Sequence, residues 1–293
     1  MTDTAYDLPS VAANEVRSPS RRIWRRLLRN PLALSGAVIV LLTIVAGIAA
    51  PWLVSFGPEE MIVIDRMSPP NATYLFGTDN FGRDLLSRVL YGARTSLRVA
   101  AMVAIAATTL GVLVGSLAGY YRRLDGPLMR VMDAMMAFPA ILLALAIMAI
   151  LGRSVLNVAI ALTTVYTPAM ARLVRGAVLA AKEHDYVEAY RALGGYDLRL
   201  VTQHVLPNAL SVIVVQATFI SVYAILAEAG LSFLGAGAPP SVPSWGNILA
   251  EGRQYMIEAP WLMLIPGAAI TITVLGLNLL GDGLRDVLDP QMK

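Results

Sequence analysis

Residues 33–54 read ALSGAVIVLLTIVAGIAAPWLV and carry no charged side chain. A helix needs about 20 apolar residues to cross roughly 30 Å of hydrocarbon, and this run supplies them. A helix on a soluble core shows one apolar stripe and one polar face, whereas this run is apolar all round. Comparable runs lie near Ser96–Tyr120, Leu128–Leu151, Leu156–Leu173, Leu210–Ala227 and Trp261–Leu280. Alternation with period two is absent, which argues against strands. The fold class expected is therefore an all-α membrane protein with six transmembrane helices. Composition agrees, since 57% of the 293 residues are hydrophobic, against about 45–50% in soluble domains. The first run is longer than a signal-peptide core and no small-residue cleavage site follows it, so it reads as an uncleaved anchor.

Charge placement sets the expected orientation. With a cytoplasmic amino terminus, 16 of the 23 lysines and arginines fall on the inside and 7 on the outside. That bias obeys the positive-inside rule and puts both termini in the cytoplasm. Residues 1–30 form a cytoplasmic tail, whose Arg21–Arg29 portion alternates basic pairs with apolar residues and suits an anionic membrane surface. Residues 31–290 form the six-helix domain, with an extracytoplasmic segment at 55–95, another at 235–260 and a cytoplasmic loop at about 180–207. Pro139, Pro168 and Pro266 lie inside apolar runs, where proline kinks a helix.

Several chemistries are excluded. There is no cysteine, so disulfides, thiolate metal sites and thiol nucleophiles are out. The only histidines are His184 and His204, and no H-E-x-x-H metal pattern exists. The only lysines, Lys182 and Lys293, do not follow a glycine-rich loop, so a Walker A phosphate cradle is absent. No catalytic residue, bound cofactor or metal is expected. No internal repeat supports a secondary carrier of two inverted halves.

The cytoplasmic loop carries the strongest pattern. Tyr186, Ala189, Tyr190 and Leu193 fall on one helix face, and Gly194-Gly195 ends the helix. Asp197 then starts a second short helix, with Leu198, Val201 and Val205 on one face, and Pro207 marks the entry to the fifth span. Ala189 and Ala192 are small enough for a partner surface to approach closely.

Glu188-Ala189, Gly194 and Leu206-Pro207 resemble the E-A-A-x-x-x-G…I-x-L-P loop of ABC importer permeases. Two positions depart from that pattern: Tyr190 replaces the third small residue and His204 stands where isoleucine is usual. Gly77-Thr78-Asp79, Gly82-Arg83-Asp84 and Ser87-Arg88 resemble the G-T-D-x-x-G-R-D-x-x-S-R signature of the dipeptide, oligopeptide and nickel group. The strings at Ala227–Gly235, Pro243–Gly246 and Gly281–Pro290 agree with it. Within the Gly77–Arg88 string, Thr78 or Asp79 is expected to cap a helix whose first turn holds Asp84.

The resemblance implies a type I ABC importer-like permease with a cytoplasmic coupling-helix loop, specifically a C-type subunit. It implies heterodimerisation with a B-type permease, two ATP-binding subunits that use ATP and Mg, and an extracytoplasmic solute-binding protein. It assigns ATPase coupling to Tyr186, Glu188, Ala189, Tyr190, Ala192, Leu193, Gly194, Leu206 and Pro207. The cargo implied is di- or oligopeptide, with nickel, glutathione or another small solute as alternatives. A stand-alone channel or secondary carrier is the reading from another class. Asp133, Met136 and Glu228 are the candidate path residues, with Met132 and Met135 in the same soft cluster. A reporter fused after Gly57 should read extracytoplasmic and one after Arg175 cytoplasmic; the reverse pattern would overturn the orientation.

Overall fold

The computed structural model describes residues 26–184, 187, 190 and 197–288. Its helices are α1 (Pro31–Leu53), α2 (Leu85–Tyr120), α3 (Arg122–Met136), α4 (Ala140–Leu151), α5 (Val155–Lys182), α6 (Leu206–Phe233), α7 (Trp245–Gly252) and α8 (Trp261–Leu288). No strand is formed among the described residues; Thr78 and Asp84 make one isolated bridge. Helices occupy all six apolar runs. On length and composition α1, α2, α6 and α8 can each cross a membrane, and α3 with α4 counts as a fifth span. α5 has 28 residues and polar positions in mid-course, including Thr163, Thr164 and Thr167. It sits at the centre, packed against α2, and has no need of a wholly apolar surface.

Two boundaries differ from the sequence expectation. The third run is not one straight span, because α3 and α4 meet at 92° across a break of at most four residues. Pro139 supplies the break, since the residue ahead of a proline is pushed out of helical geometry and the ring cannot extend the ladder. α3 carries Arg122, Arg123 and Arg130 and belongs to the basic end of the bundle. The second helix begins at Leu85 rather than near Ser96. Its early turns are amphipathic and are buried by α7, a helix that the apolar runs do not announce.

Small residues decide how the helices meet. α1 buries only Ala33, Gly36, Gly47 and Ala50. Its large residues, among them Leu34, Leu41, Leu42, Val45, Ile48 and Trp52, are exposed. That is the reverse of a soluble helix and fits a lipid-facing one whose association depends on close backbone approach. Ala33 and Gly36 lie on α8, around Gly276 and Gly283, and Gly47 lies against Ala93 and Arg94 of α2. α2 repeats the device with a ridge at four-residue spacing, Val103, Ala107, Gly111, Gly115 and Gly119. The ridge rests on Met170, Ala171, Val174 and Val178 of α5, all fully buried.

A Cβ at Gly115 would lie 2.4 Å from the Ala171 carbonyl oxygen. Gly115→Leu should therefore cost about 1–3 kcal/mol or more through forced separation of α2 and α5. Gly126→Ala, with open space around it, should leave the melting temperature in detergent unchanged or raised. Equal melting temperatures for Gly115→Leu and wild type would contradict the packing.

Candidate functional site

The Gly77–Arg88 string forms a tight turn and the start of α2. Gly82 has φ +75°, and a Cβ there would lie 2.0 Å from the Ile62 carbonyl oxygen, so only glycine fits. Asp79 closes the turn by accepting from the backbone N–H of Phe81 (2.8 Å) and of Arg83 (3.0 Å). Asp84, not Thr78 or Asp79, is the N-cap of α2, accepting from Ser87 N at 2.9 Å. The expectation fails because Asp79 spends its oxygens on the turn and on arginines, which delays the helix by one turn.

Thr78 is fully buried. It donates its hydroxyl to the Asp65 carbonyl and accepts from Ser68 N at 2.8 Å. Its own carbonyl accepts from the Trp261 indole at 3.2 Å. Tyr74 donates to the Asp65 carboxylate at 2.8 Å, which holds its phenol above the usual range. Burial pushes the Asp84 carboxyl up, opposed by the N–H groups of Ser87 and Leu86. The stability that this group contributes is full below the ordinary carboxylate range. It is lost as pH rises through the raised value.

Arg83 and Arg88 are almost completely buried, and between them lie two carboxylates. Arg83 Nε meets Asp79 at 2.6 Å and its Nη2 meets Glu251 at 2.5 Å. Arg88 Nη1 meets Asp79 at 2.7 Å and Glu251 at 2.6 Å, and Nη2 adds a 3.2 Å bond to Glu251. Two cations and two anions make a neutral clasp that ties the start of α2 to α7. Glu251 lies 163 residues from Arg88 and nothing local in the sequence signals it.

Glu228, at the end of α6, sits one layer away and is 1% exposed. Ser232 and Ser244 donate to one of its oxygens at 2.9 and 2.8 Å, and Ser96 donates to the other at 3.1 Å. Ser96 also accepts from Trp245 N, and the Trp245 indole donates to the Val89 carbonyl at 3.0 Å. The strings at Gly77–Arg88, Ala227–Gly235 and Pro243–Gly246 thus converge on one end of the bundle.

The basic end holds the loop between α5 and α6. Of the coupling candidates, Tyr186, Glu188, Ala189, Ala192, Leu193 and Gly194 lie outside the described residues; Tyr190, Leu206 and Pro207 lie within them. Tyr190 is half-buried and packs against the core of its own bundle. Val187, Leu200 and Val205 are buried. A helical turn at Asp197–Leu200 runs into a π segment, Val201–Val205, with Pro207 in the first turn of α6. The base of the loop is anchored firmly. Lys182 Nζ donates to the carbonyls of Gly119 and Tyr120 at 3.2 and 2.9 Å, satisfying the end of α2. Arg175 grips Asp125 of α3 with two bonds, at 2.5 and 2.7 Å. Asp133 pairs with Arg172 at 2.6 Å in an exposed contact at the same end. Met136 is exposed beside the α3–α4 bend. No cluster able to hold a metal ion occurs among the described residues.

Residues 107–293 match the family described as binding-protein-dependent transport system inner membrane component. Residues 18–70 match the N-terminal TM domain of oligopeptide transport permease C. A Brucella abortus chain carrying the provisional name of a peptide transport system permease protein is 51% identical over 99% of this chain and 97% of its own. The dipeptide transport system permease protein of Alkalihalophilus pseudofirmus is 45% identical over 94% of this chain and 91% of its own. The glutathione transport system permease protein of an Escherichia coli strain is 42% identical over 98% and 95%. Two inward-facing structures of the MetNI methionine ABC transporter superpose with TM-scores of 0.58 and 0.59, at 22% and 21% identity. They cover 69% of this chain and 96% of theirs, a likeness of fold. The protein belongs to the binding-protein-dependent transport system inner membrane component family, and is a multi-pass membrane chain of the ABC permease fold.

Glu251→Gln would leave Arg83 and Arg88 facing one carboxylate. Breaking a buried pair in this way should cost roughly 3–5 kcal/mol, and a second change, Arg88→Met, should recover part of the loss by restoring neutrality. Melting of the purified variants checks this; no recovery in the double variant would contradict charge balance as the cause.

Proposed function

We propose that the chain is the C-type permease of an ATP-driven, binding-protein-dependent importer of di- and oligopeptides. The observation that carries the reading is chain-length similarity to dipeptide permeases, 45% and 43% identical over 94% of this chain in two organisms. Glutathione is favoured as a second cargo by the 42% relative; it is itself a small peptide, so the chemistry of passage is shared.

In this reading the chain hydrolyses nothing and binds no cofactor. Two separate ATP-binding subunits, using ATP and Mg, dock on the loop between α5 and α6. A B-type permease completes the path, and a solute-binding protein docks at the clasp end, which faces away from the cytoplasm. Residues 1–30 are a tail at the cytoplasmic surface, and residues 31–290 are the permease domain. The anchoring of the loop supports a mechanical role. Lys182 holds the end of α2 and Arg175 holds α3. A push on the loop is therefore delivered to α2, α3 and α5 together rather than absorbed by a hinge. Alternation between inward and outward openings follows when two such loops are drawn together by ATP-driven closure of the ATPase pair.

Glu188→Lys and Gly194→Asp, both in the predicted docking segment, should abolish peptide uptake while the chain remains inserted in the membrane. Co-purification of the ATP-binding subunits should fall with it. Full uptake with unchanged assembly in both variants would refute loop coupling.

A further inference from the structure

α6 carries a polar stripe that the coupling argument does not use. Gln216 and Tyr223 lie along it, seven residues apart, and Ser211 lines the same cavity as Gln216, while the outward residues of α1 are mostly large and apolar. Gln216 is ten residues into a 28-residue helix, about 15 Å from its start at 1.5 Å per residue. That places a primary amide in the middle of the span. No hydrogen bond satisfies it among the described residues. In lipid such a group costs several kcal/mol, so this face looks onto something polar.

Two cavities meet at Gln216. One, of about 360 Å³, runs past Ser211, Phe219 and Arg285 at the basic end. The other, of about 430 Å³, lies against the α3–α4 bend and is walled by Met135, Met136, Phe138, Tyr166 and Tyr223. Tyr166 stacks on Tyr223 with ring centroids 6.2 Å apart, and its hydroxyl donates to the Tyr223 carbonyl at 3.2 Å. Tyr223 itself is more than half exposed, as is Phe138. Among the described residues, Arg285 is the single charged one along the two walls, and it stands at the basic mouth.

We propose that this face is the wall along which a peptide passes, with Gln216 and Tyr223 meeting its backbone amides and the methionine pair and Phe138 meeting its side chains. The inference rests on the importer reading and names the residues of its path. The chemistry fits that cargo class. An amide offers both a donor and an acceptor to any peptide bond. Thioethers and aromatic rings accept side chains of differing shape. A wall without fixed charge in its deeper cavity holds a zwitterion only weakly, as conduction requires. Glu228 is not part of this wall, since three serine hydroxyls enclose it at the clasp end.

The native chain has no cysteine, which permits a clean test in the assembled transporter. Gln216→Cys, Tyr223→Cys and Met136→Cys are compared with Leu41→Cys on the lipid face of α1. A charged methanethiosulfonate needs a hydrated thiolate, so the three wall positions should react at least ~10-fold faster than position 41. Alanylalanine delivered by the binding protein should slow the reaction at 216 and 223. Positions 216 and 223 as inert as 41, in a complex that takes up alanylalanine, would overturn the proposal and indicate a face sealed by the second permease. Fast labelling that the peptide leaves unchanged, in the same complex, would overturn the contact with cargo. A complex that takes up no alanylalanine, nor any other dipeptide, would count instead against the importer reading.

Discussion

The pairing of Arg88 with Asp79 and Glu251 is the constraint around which one end of the molecule is built. A guanidinium almost wholly removed from water is tolerable only with matched charge and well-aimed bonds. Meeting that demand fixes the Asp79 turn, the start of α2 and the position of α7 at once. Arg83 doubles the arrangement and keeps it neutral. Glu228 and its three serines continue the same logic one layer further in. The result is a charge-balanced, hydrogen-bonded cap over the helix ends.

Between the two ends the chain relies on shape more than charge. Lipid tails are as apolar as leucine, so helices gain little by burying leucine against one another. Gly36 against α8 and Gly115 against α5 let backbones touch, and the large residues of α1 are left for the bilayer. A bundle held in this way can leave a polar face on α6 uncovered without losing cohesion. At the basic end, Lys182 and Arg175 tie the last turns of α5 to the end of α2 and to α3.

Much of this was legible in the sequence, for identifiable reasons. Runs such as Ala33–Val54 are decided by length and polarity alone, and helices stand at each of them. The Gly77–Arg88 string announced a capped helix ahead of the second span, but the cap is Asp84, because Asp79 is taken up by the turn at Gly82. The partner of its arginines was not legible, because Glu251 is distant in the chain and lies in a helix with no unusual composition. That α2 runs unbroken into the second span was not legible, because its amphipathic turns are stabilised by burial under Trp245. The right-angle bend at Pro139 was signalled by the proline, but hydropathy averaged across it. Glu228 reads as a charge within a span, yet only the fold brings Ser96 and Ser244 to it.

The central claim is that this chain moves peptide only when a separate ATPase drives it. The most direct measurement is uptake of labelled dipeptide into proteoliposomes, with the chain reconstituted alone or with its second permease, ATP-binding subunits and binding protein. The account predicts uptake from the complete set with ATP, and none when the ATPase is inactive or omitted. Uptake by this chain alone, without ATP, would contradict it.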